Sequence, residues 1–141
     1  MKKLQFEEAL ERILKEDPRY DARAYLFVRE SLDYTIAKLD KPVEGPARHV
    51  TGQELSMGLR DHALNEFGAI ARTVLARWGL KRTEDIGNVV FNLVQKGILG
   101  KTDQDTLDDF ANGFDFDTAF RQPFLPRRKR AELRHKTNQE N

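Results

Sequence analysis

Apolar residues recur along this chain at helical spacing and predict a succession of helices. Phe6, Ala9, Leu10, Ile13 and Leu14 mark the first, over about 4–15. Asp17-Pro18 ends it, because the residue before a proline is pushed out of the α region. A second helix is predicted over about 21–39. Tyr25, Val28, Leu32, Ile36 and Leu39 line one face of it, with Arg29, Asp33 and Lys38 nearer the other. Residues 41–50, KPVEGPARHV, hold two prolines and a glycine and read as a loop. Thr51 stands three residues before Glu54, the spacing of a capping box, and opens a third helix over about 52–67. Leu55, Leu59, Ala63 and Phe67 are its inward face, and Gly68 breaks or kinks it. A fourth segment, 69–78, carries Ile70, Val74, Leu75 and Trp78 and closes on Gly79. Thr83 opens a fifth, with Glu84 and Asp85 in the first turn, where the helix dipole favours negative charge. Ile86, Val89, Val90, Leu93 and Val94 form its stripe, and Gly97 ends it.

Beyond Gly97 the pattern divides. Ile98-Leu99-Gly100 reads as a short strand, and 106–111 as a sixth helical piece or a second strand. Under the strand reading, residues 69–110 make a helix-turn-helix followed by a β-hairpin with its tip at Asp103-Gln104-Asp105, a winged-helix-like unit. Gly113-Phe114-Asp115-Phe116-Asp117 alternates Phe and Asp and reads as an extended segment with one buried face. Phe114, Phe116, Phe120 and Phe124 are expected to pack back on the body. The fold class expected is therefore mainly α, a compact bundle of about six helical segments in one domain over 1–126. Residues 127–141 follow as a basic tail. Ala131 and Leu133 are its only aliphatics, so it cannot offset its own ordering entropy and is expected to be mobile unless a partner holds it.

Composition narrows the chemistry. There is no cysteine, which excludes disulfides, thiolate metal sites and cysteine nucleophiles. Glu7, Glu8, Glu11 and Arg12 interrupt the N-terminal apolar pattern, so no signal peptide is read there. No run approaches the roughly 20 apolar residues of a membrane span. The expected location is cytoplasmic, with no membrane partner. The net charge of +1 conceals an uneven distribution. Residues 121–141 hold Arg121, Arg127, Arg128, Lys129, Arg130, Arg134 and Lys136 against two Glu, a net of +5, which leaves −4 for the rest.

Three stretches carry a family resemblance: GQELSMGLRDHALNEFG (52–68), WGLKRTEDIGNVVFNLVQKGILGKT (78–102) and DDFANGFDFDTAF (108–120). In them the chain resembles a family of small uncharacterised proteins restricted to planctomycete and verrucomicrobial bacteria. The phrase running from Trp78-Gly79 through Arg82-Thr83-Glu84-Asp85-Ile86-Gly87 to Phe91-Asn92-Leu93-Val94 is its most distinctive part. The resemblance covers about residues 5–120. It implies no activity, and the tail lies outside it.

Four constellations are candidates for function. The fifth helix would be the recognition helix of a winged-helix unit, flanked by Lys81, Arg82, Lys96 and Lys101. Its first turn, however, carries Glu84 and Asp85, and the expected wing carries Asp103 and Asp105, all of which phosphates repel. The tail cluster Arg127-Arg128-Lys129-Arg130, with Arg134 and Lys136, has the electrostatic character of nucleic-acid contact; the alternative is a solvated terminus. His62 and Glu66 lie four apart on one helix near Asp61 and Glu54, which is fewer ligands than a zinc site needs, and a surface i,i+4 pair is the simpler reading. The fourth, Gly113-Phe114-Asp115-Phe116-Asp117, would be a partner-docking strand or acidic patch, the simpler reading being a segment that closes the edge of the core; beside these, Arg48 and Arg60 would either bind an anion or pair with Glu54 or Asp61. No HExxH, Walker, GxSxG or GxGxxG motif occurs. No catalytic, metal or cofactor residue is therefore expected. The reading these features favour is a non-enzymatic binding or adaptor domain. A protein partner would sit on the helical body. RNA, ribosomal RNA included, or DNA would be held by the tail, with Lys81 and Arg82 as further contacts. The alternatives are a winged-helix DNA-binding regulator, dimeric through its first two helices, and an enzyme with a cleft lined by His62, Glu66, Glu54 and Arg60.

Overall fold

Side chains cap the starts of three of the helices, and residues with positive φ stop four of them. The computed structural model describes residues 3–42, 45, 49–100, 107–111 and 113–126. Within them lie α1 (Lys3–Glu16), α2 (Ala22–Lys38), α3 (Gly52–Phe67), α4 (Ala71–Arg77), α5 (Thr83–Gln95) and α6 (Phe116–Arg121). Short 3₁₀ turns occupy Gly68–Ile70, Leu107–Phe110 and Gln122–Phe124. The Asp21 carboxylate caps α2 by accepting from Arg23 N–H. Thr51 and Glu54 form the expected capping box of α3. α4 ends in a Schellman motif: Gly79 at φ +95° donates to Ala76 O, and the buried Leu80 donates to Leu75 O. α5 ends the same way, with Gly97 donating to Val94 O and Ile98 to Leu93 O.

That second motif corrects the expected hairpin. Ile98 is turned back onto α5 by its own N–H, so 98–100 is not a strand. Leu107–Phe110 is a 3₁₀ turn, as the helical alternative for this piece had it. Phe110 is buried against the bare Cα of Gly87, and its carbonyl accepts from the Thr83 hydroxyl at 2.7 Å. Among the described residues there is no strand at all. A lone two-stranded hairpin is only marginally stable, and here it would also forfeit this seat for Phe110. The expected wing tip lies outside the described residues. The extended segment predicted at 113–117 is corrected too. Asp115 caps α6 by accepting from the Thr118 N–H at 2.9 Å and the Thr118 hydroxyl at 3.0 Å. Phe116 and Phe120 are buried, whereas Phe124 is exposed.

The core sits where α2, α3 and α5 meet, with α1 laid against α2 and α5, and α4 and α6 against α3. Tyr25, Val28, Leu59, Leu75, Ile86 and Leu93 are fully buried. Ile70 and Leu39, expected inward, are exposed, because each lies at a helix terminus where the chain turns away. The tightest contact in the interior is between α2 and α3. A Cβ on Gly58 would collide with Thr35, coming 2.8 Å from its Cβ and closer still to its Oγ1. Two steps from Thr35 in the same seam lies His62. Its ring is stacked between Phe27 (centroids 4.5 Å apart) and Tyr34 (4.9 Å), and its Nδ1 shares a hydrogen bond of 3.0 Å with the buried Ser31 hydroxyl. The expected surface pair is thus a buried histidine whose outer edge, Nε2, is 3.7 Å from Glu66.

In an open helix, Gly58→Ala would add up to about 1 kcal/mol of stability through helix propensity. Here it is expected to remove about 1–3 kcal/mol by overpacking, with part recovered in Gly58→Ala/Thr35→Ala. Urea denaturation of the three proteins measures this, and a single variant as stable as the parent would mean that the helices are not pressed together at this point.

Candidate functional site

Two loops adjoin on one side of the bundle: 17–21, between α1 and α2, and 78–82, between α4 and α5. The sequence gives each a fixed shape. Asp17-Pro18 stops α1, and the Schellman motif at Gly79 turns the chain sharply out of α4. The loops are then joined by backbone. Asp21 N–H donates to Trp78 O at 3.1 Å, and a Cβ at Gly79 would come 2.6 Å from Arg19 O. Gly79 thus serves both a positive φ and a close approach.

Asp85 holds the junction from inside. It is buried, and its carboxylate accepts from the Tyr20 hydroxyl (2.7 Å), from Lys81 N–H (2.9 Å) and from Arg82 N–H (3.1 Å). The acid that the sequence places at the tip of a recognition helix is therefore turned inward as a structural acceptor. The network extends outward along α5. Asn88 donates to the Tyr20 oxygen, and Asn92 donates both to Asp17 (2.9 Å) and to the Tyr25 oxygen (3.0 Å). Burial pushes the Tyr20 phenol up to about 12. The Arg19 guanidinium, bonded to Asp17 through Nε and Nη2, holds that carboxyl well below the usual carboxylate range, aided by Asn92. Lys96 pairs with Glu16 at 2.9 Å and ties α5 to the end of α1.

The two candidate residues of the body, Lys81 and Arg82, point outward from this junction. Both are exposed, and neither makes an ion pair among the described residues, their backbone N–H groups alone being bound to Asp85. Arg77, in the last turn of α4, is likewise exposed and without an ion pair there. Across the seam Arg19 and Arg23 add two more guanidinium groups, held by Asp17 and Asp21 but well exposed, at 58% and 66% of the side chain. Sequence reasoning missed Arg77, Arg19 and Arg23 as companions of Lys81 and Arg82. The signal available was the pair of chain-turning motifs, Asp17-Pro18 and Gly79, which do not by themselves say that the two turns meet. Arg127, Arg128, Lys129, Arg130, Arg134 and Lys136 lie outside the described residues.

Among the described residues, those of the enzyme reading are engaged separately. Glu54 is engaged by Thr51 N–H and Lys41, Arg60 is bound to Asp61, and His62 is packed in the α2–α3 seam. Arg48 lies outside the described residues. A groove of about 470 Å³ between α3 and α6 is lined by Arg60, Asp61, Leu64, Thr118, Ala119, Gln122 and Pro123, without His62, Glu66 or Glu54. Among the described residues no three His, Cys, Asp or Glu side chains are placed to hold a metal ion, and no helix is long and apolar enough to cross a membrane.

Asp85→Ala strands three donors and is expected to cost at least about 3 kcal/mol, whereas Tyr20→Phe, which removes one of them, costs about 1–2 kcal/mol. Chemical denaturation ranks the two, and a smaller loss for Asp85→Ala would remove Asp85 from the centre of the junction. The Asp17 carboxyl has a lower pKa folded than its ordinary value near 3.8. Its contribution is therefore fully present above that value and is lost as the pH falls through and below it. Asp17→Asn should lower stability at neutral pH and flatten the loss of stability between about pH 4 and pH 2; an unchanged acid profile would deny Asp17 that role. Beyond the molecule itself, no known protein family, no curated protein and no solved structure matches this chain.

Proposed function

We propose that this protein is a non-enzymatic binding domain that attaches electrostatically to nucleic acid, RNA foremost, through residues 127–141. One observation carries the reading: a net of +5 over 121–141 set against −4 over the rest of the chain. Arg127, Arg128, Lys129, Arg130, Arg134 and Lys136 stand in a segment with two aliphatics and no aromatic, so charge is what it has to offer a partner. Cations neutralising phosphates release condensed counterions, which gives affinity that needs no packed core. Basic segments of this kind order on RNA. Four of the six cations are arginine, whose fork matches phosphate oxygens in pairs. In this reading the helical body, an acidic platform, carries a protein partner.

The test is the full chain with all six cations changed to glutamine, titrated against a fluorescein-labelled 20-nucleotide oligouridylate at several salt concentrations. The parent should bind at low salt and lose affinity steeply as salt rises. The variant should bind far more weakly, with the slope of log K against log salt shallower by about 4, or about 0.7 for each cation. A parent protein that does not bind at low salt, or a variant that binds as the parent does, would overturn the proposal.

A further inference from the structure

We infer that the junction of the two loops is a second phosphate-binding surface, formed by Arg77, Lys81 and Arg82 with Arg19 and Arg23 at its edge, which engages the backbone of the same nucleic acid without reading its bases. The inference rests on the proposed nucleic-acid reading and deepens it.

Three features of the junction support this. First, the cations project from backbone that is already fixed. Lys81 and Arg82 N–H are bound to Asp85, and Trp78 O accepts from Asp21 N–H. Little loop ordering is left for a partner to impose. Second, most of the carboxylates nearby are engaged. Asp85 is buried on its three donors, and Asp17 and Asp21 are held by Arg19 and Arg23, which leaves Glu84 set against three cations. Arg77, Lys81 and Arg82, which make no ion pair among the described residues, are left facing solvent. Third, the aromatic rings here are not available as a stacking platform. Tyr20 is buried on Asp85, and Trp78 packs on Phe27 and Phe67. Single-strand binders that hold bases use exposed rings. This surface offers charge and guanidinium forks alone, which suits phosphates.

A polymer follows from having two basic segments on one chain. The 15 residues after Pro126 can reach about 50 Å when extended. A small anion touches one site, whereas a nucleic acid long enough to touch both gains from effective concentration.

The experiment compares four full-length proteins: the parent, Arg77→Gln/Lys81→Gln/Arg82→Gln, the six-glutamine tail variant, and the two combined. Each is titrated by fluorescence anisotropy against the labelled oligouridylate, a 20-residue abasic phosphodiester and poly-glutamate. The triple variant should lower the salt slope by about 2, and the combined variant should not bind. The abasic strand should bind the parent nearly as tightly as the oligouridylate does. If the triple variant keeps the parental slope while the tail variant loses it, this inference falls and the tail reading stands. If the tail variant keeps the parental slope while the triple variant loses it, the tail reading falls and the junction stands. If the abasic strand binds much more weakly, contact with the backbone alone is refuted. If poly-glutamate binds as tightly as the oligouridylate, the partner is an acidic protein. Should the triple variant melt below the parent, Lys81→Gln alone carries the test, with an expected slope change of about 0.7.

Discussion

A buried carboxylate is tolerated only where donors surround it. At Asp85 those donors come from two separate stretches of chain: the Tyr20 hydroxyl from the α1–α2 loop, and the Lys81 and Arg82 N–H groups from the turn into α5. The acid thus selects one arrangement of α1, α2 and α5. If the loops part, Asp85 loses its phenol donor, and the bond from Asp21 N–H to Trp78 O goes with it. Several other features depend on the same contact. Gly79 has no side chain where Arg19 O must approach. Asn88 shares the Tyr20 oxygen, and Asn92 links Tyr25 to Asp17. The exposed ion pairs around this network add little by themselves, since surface pairs are worth at most about 1 kcal/mol.

The α2–α3 seam is the second polar feature of the interior, and it works differently. Here the helices approach because Gly58 lacks a side chain opposite Thr35. The Thr35 hydroxyl donates to Ser31 O within its own helix. The Ser31 hydroxyl and His62 Nδ1 satisfy one another across the seam. With Phe27 on one face of the imidazole and Tyr34 on the other, only the Nε2 edge is left toward Glu66. Ser31, His62 and Glu66 together look like the makings of a catalytic triad. Ser31 is nevertheless fully buried and sits on Nδ1, so its hydroxyl has no room to meet a substrate. The arrangement positions two helices.

What was legible in the sequence was local. Thr51 with Glu54, Asp17-Pro18, Gly79 and Gly97 mark helix ends because capping is decided within a few residues. The piece 107–110 was not legible, because its conformation is set at a distance. Thr83 bonds the Phe110 carbonyl, and Gly87 leaves the notch that Phe110 fills. The run Phe114 to Asp117 has the period of a strand, yet Asp115 finds Thr118 three residues on and starts a helix. Helical spacing also cannot say that His62 faces Ser31 rather than solvent, since a polar residue beside an apolar stripe suits either place. Of the candidate site, Lys81 and Arg82 were visible as charges. Their neighbours Arg77, Arg19 and Arg23 were not, because nothing local announces that the turn after α1 meets the turn after α4.

The inward turn of Asp85 changes how the charge around α5 is to be read. Along the sequence, Glu84 and Asp85 cancel Lys81 and Arg82, and the start of the helix looks hostile to phosphate. In the folded chain the charges separate by depth. The Asp85 carboxylate is taken inside and satisfied by backbone and phenol, while the lysine and arginine side chains of the same turn stay outside. A carboxylate held inside on protein donors cannot itself meet a phosphate, and it stiffens the backbone from which the cations project. The same substitution that loosens the fold, removal of the Asp85 carboxylate, would also release Lys81 and Arg82 from a fixed frame. In the proposed reading, stability and binding therefore meet at one residue that touches no ligand. Charge counted along a sequence misjudges such a surface, because it weighs a buried acid and an exposed base as equals.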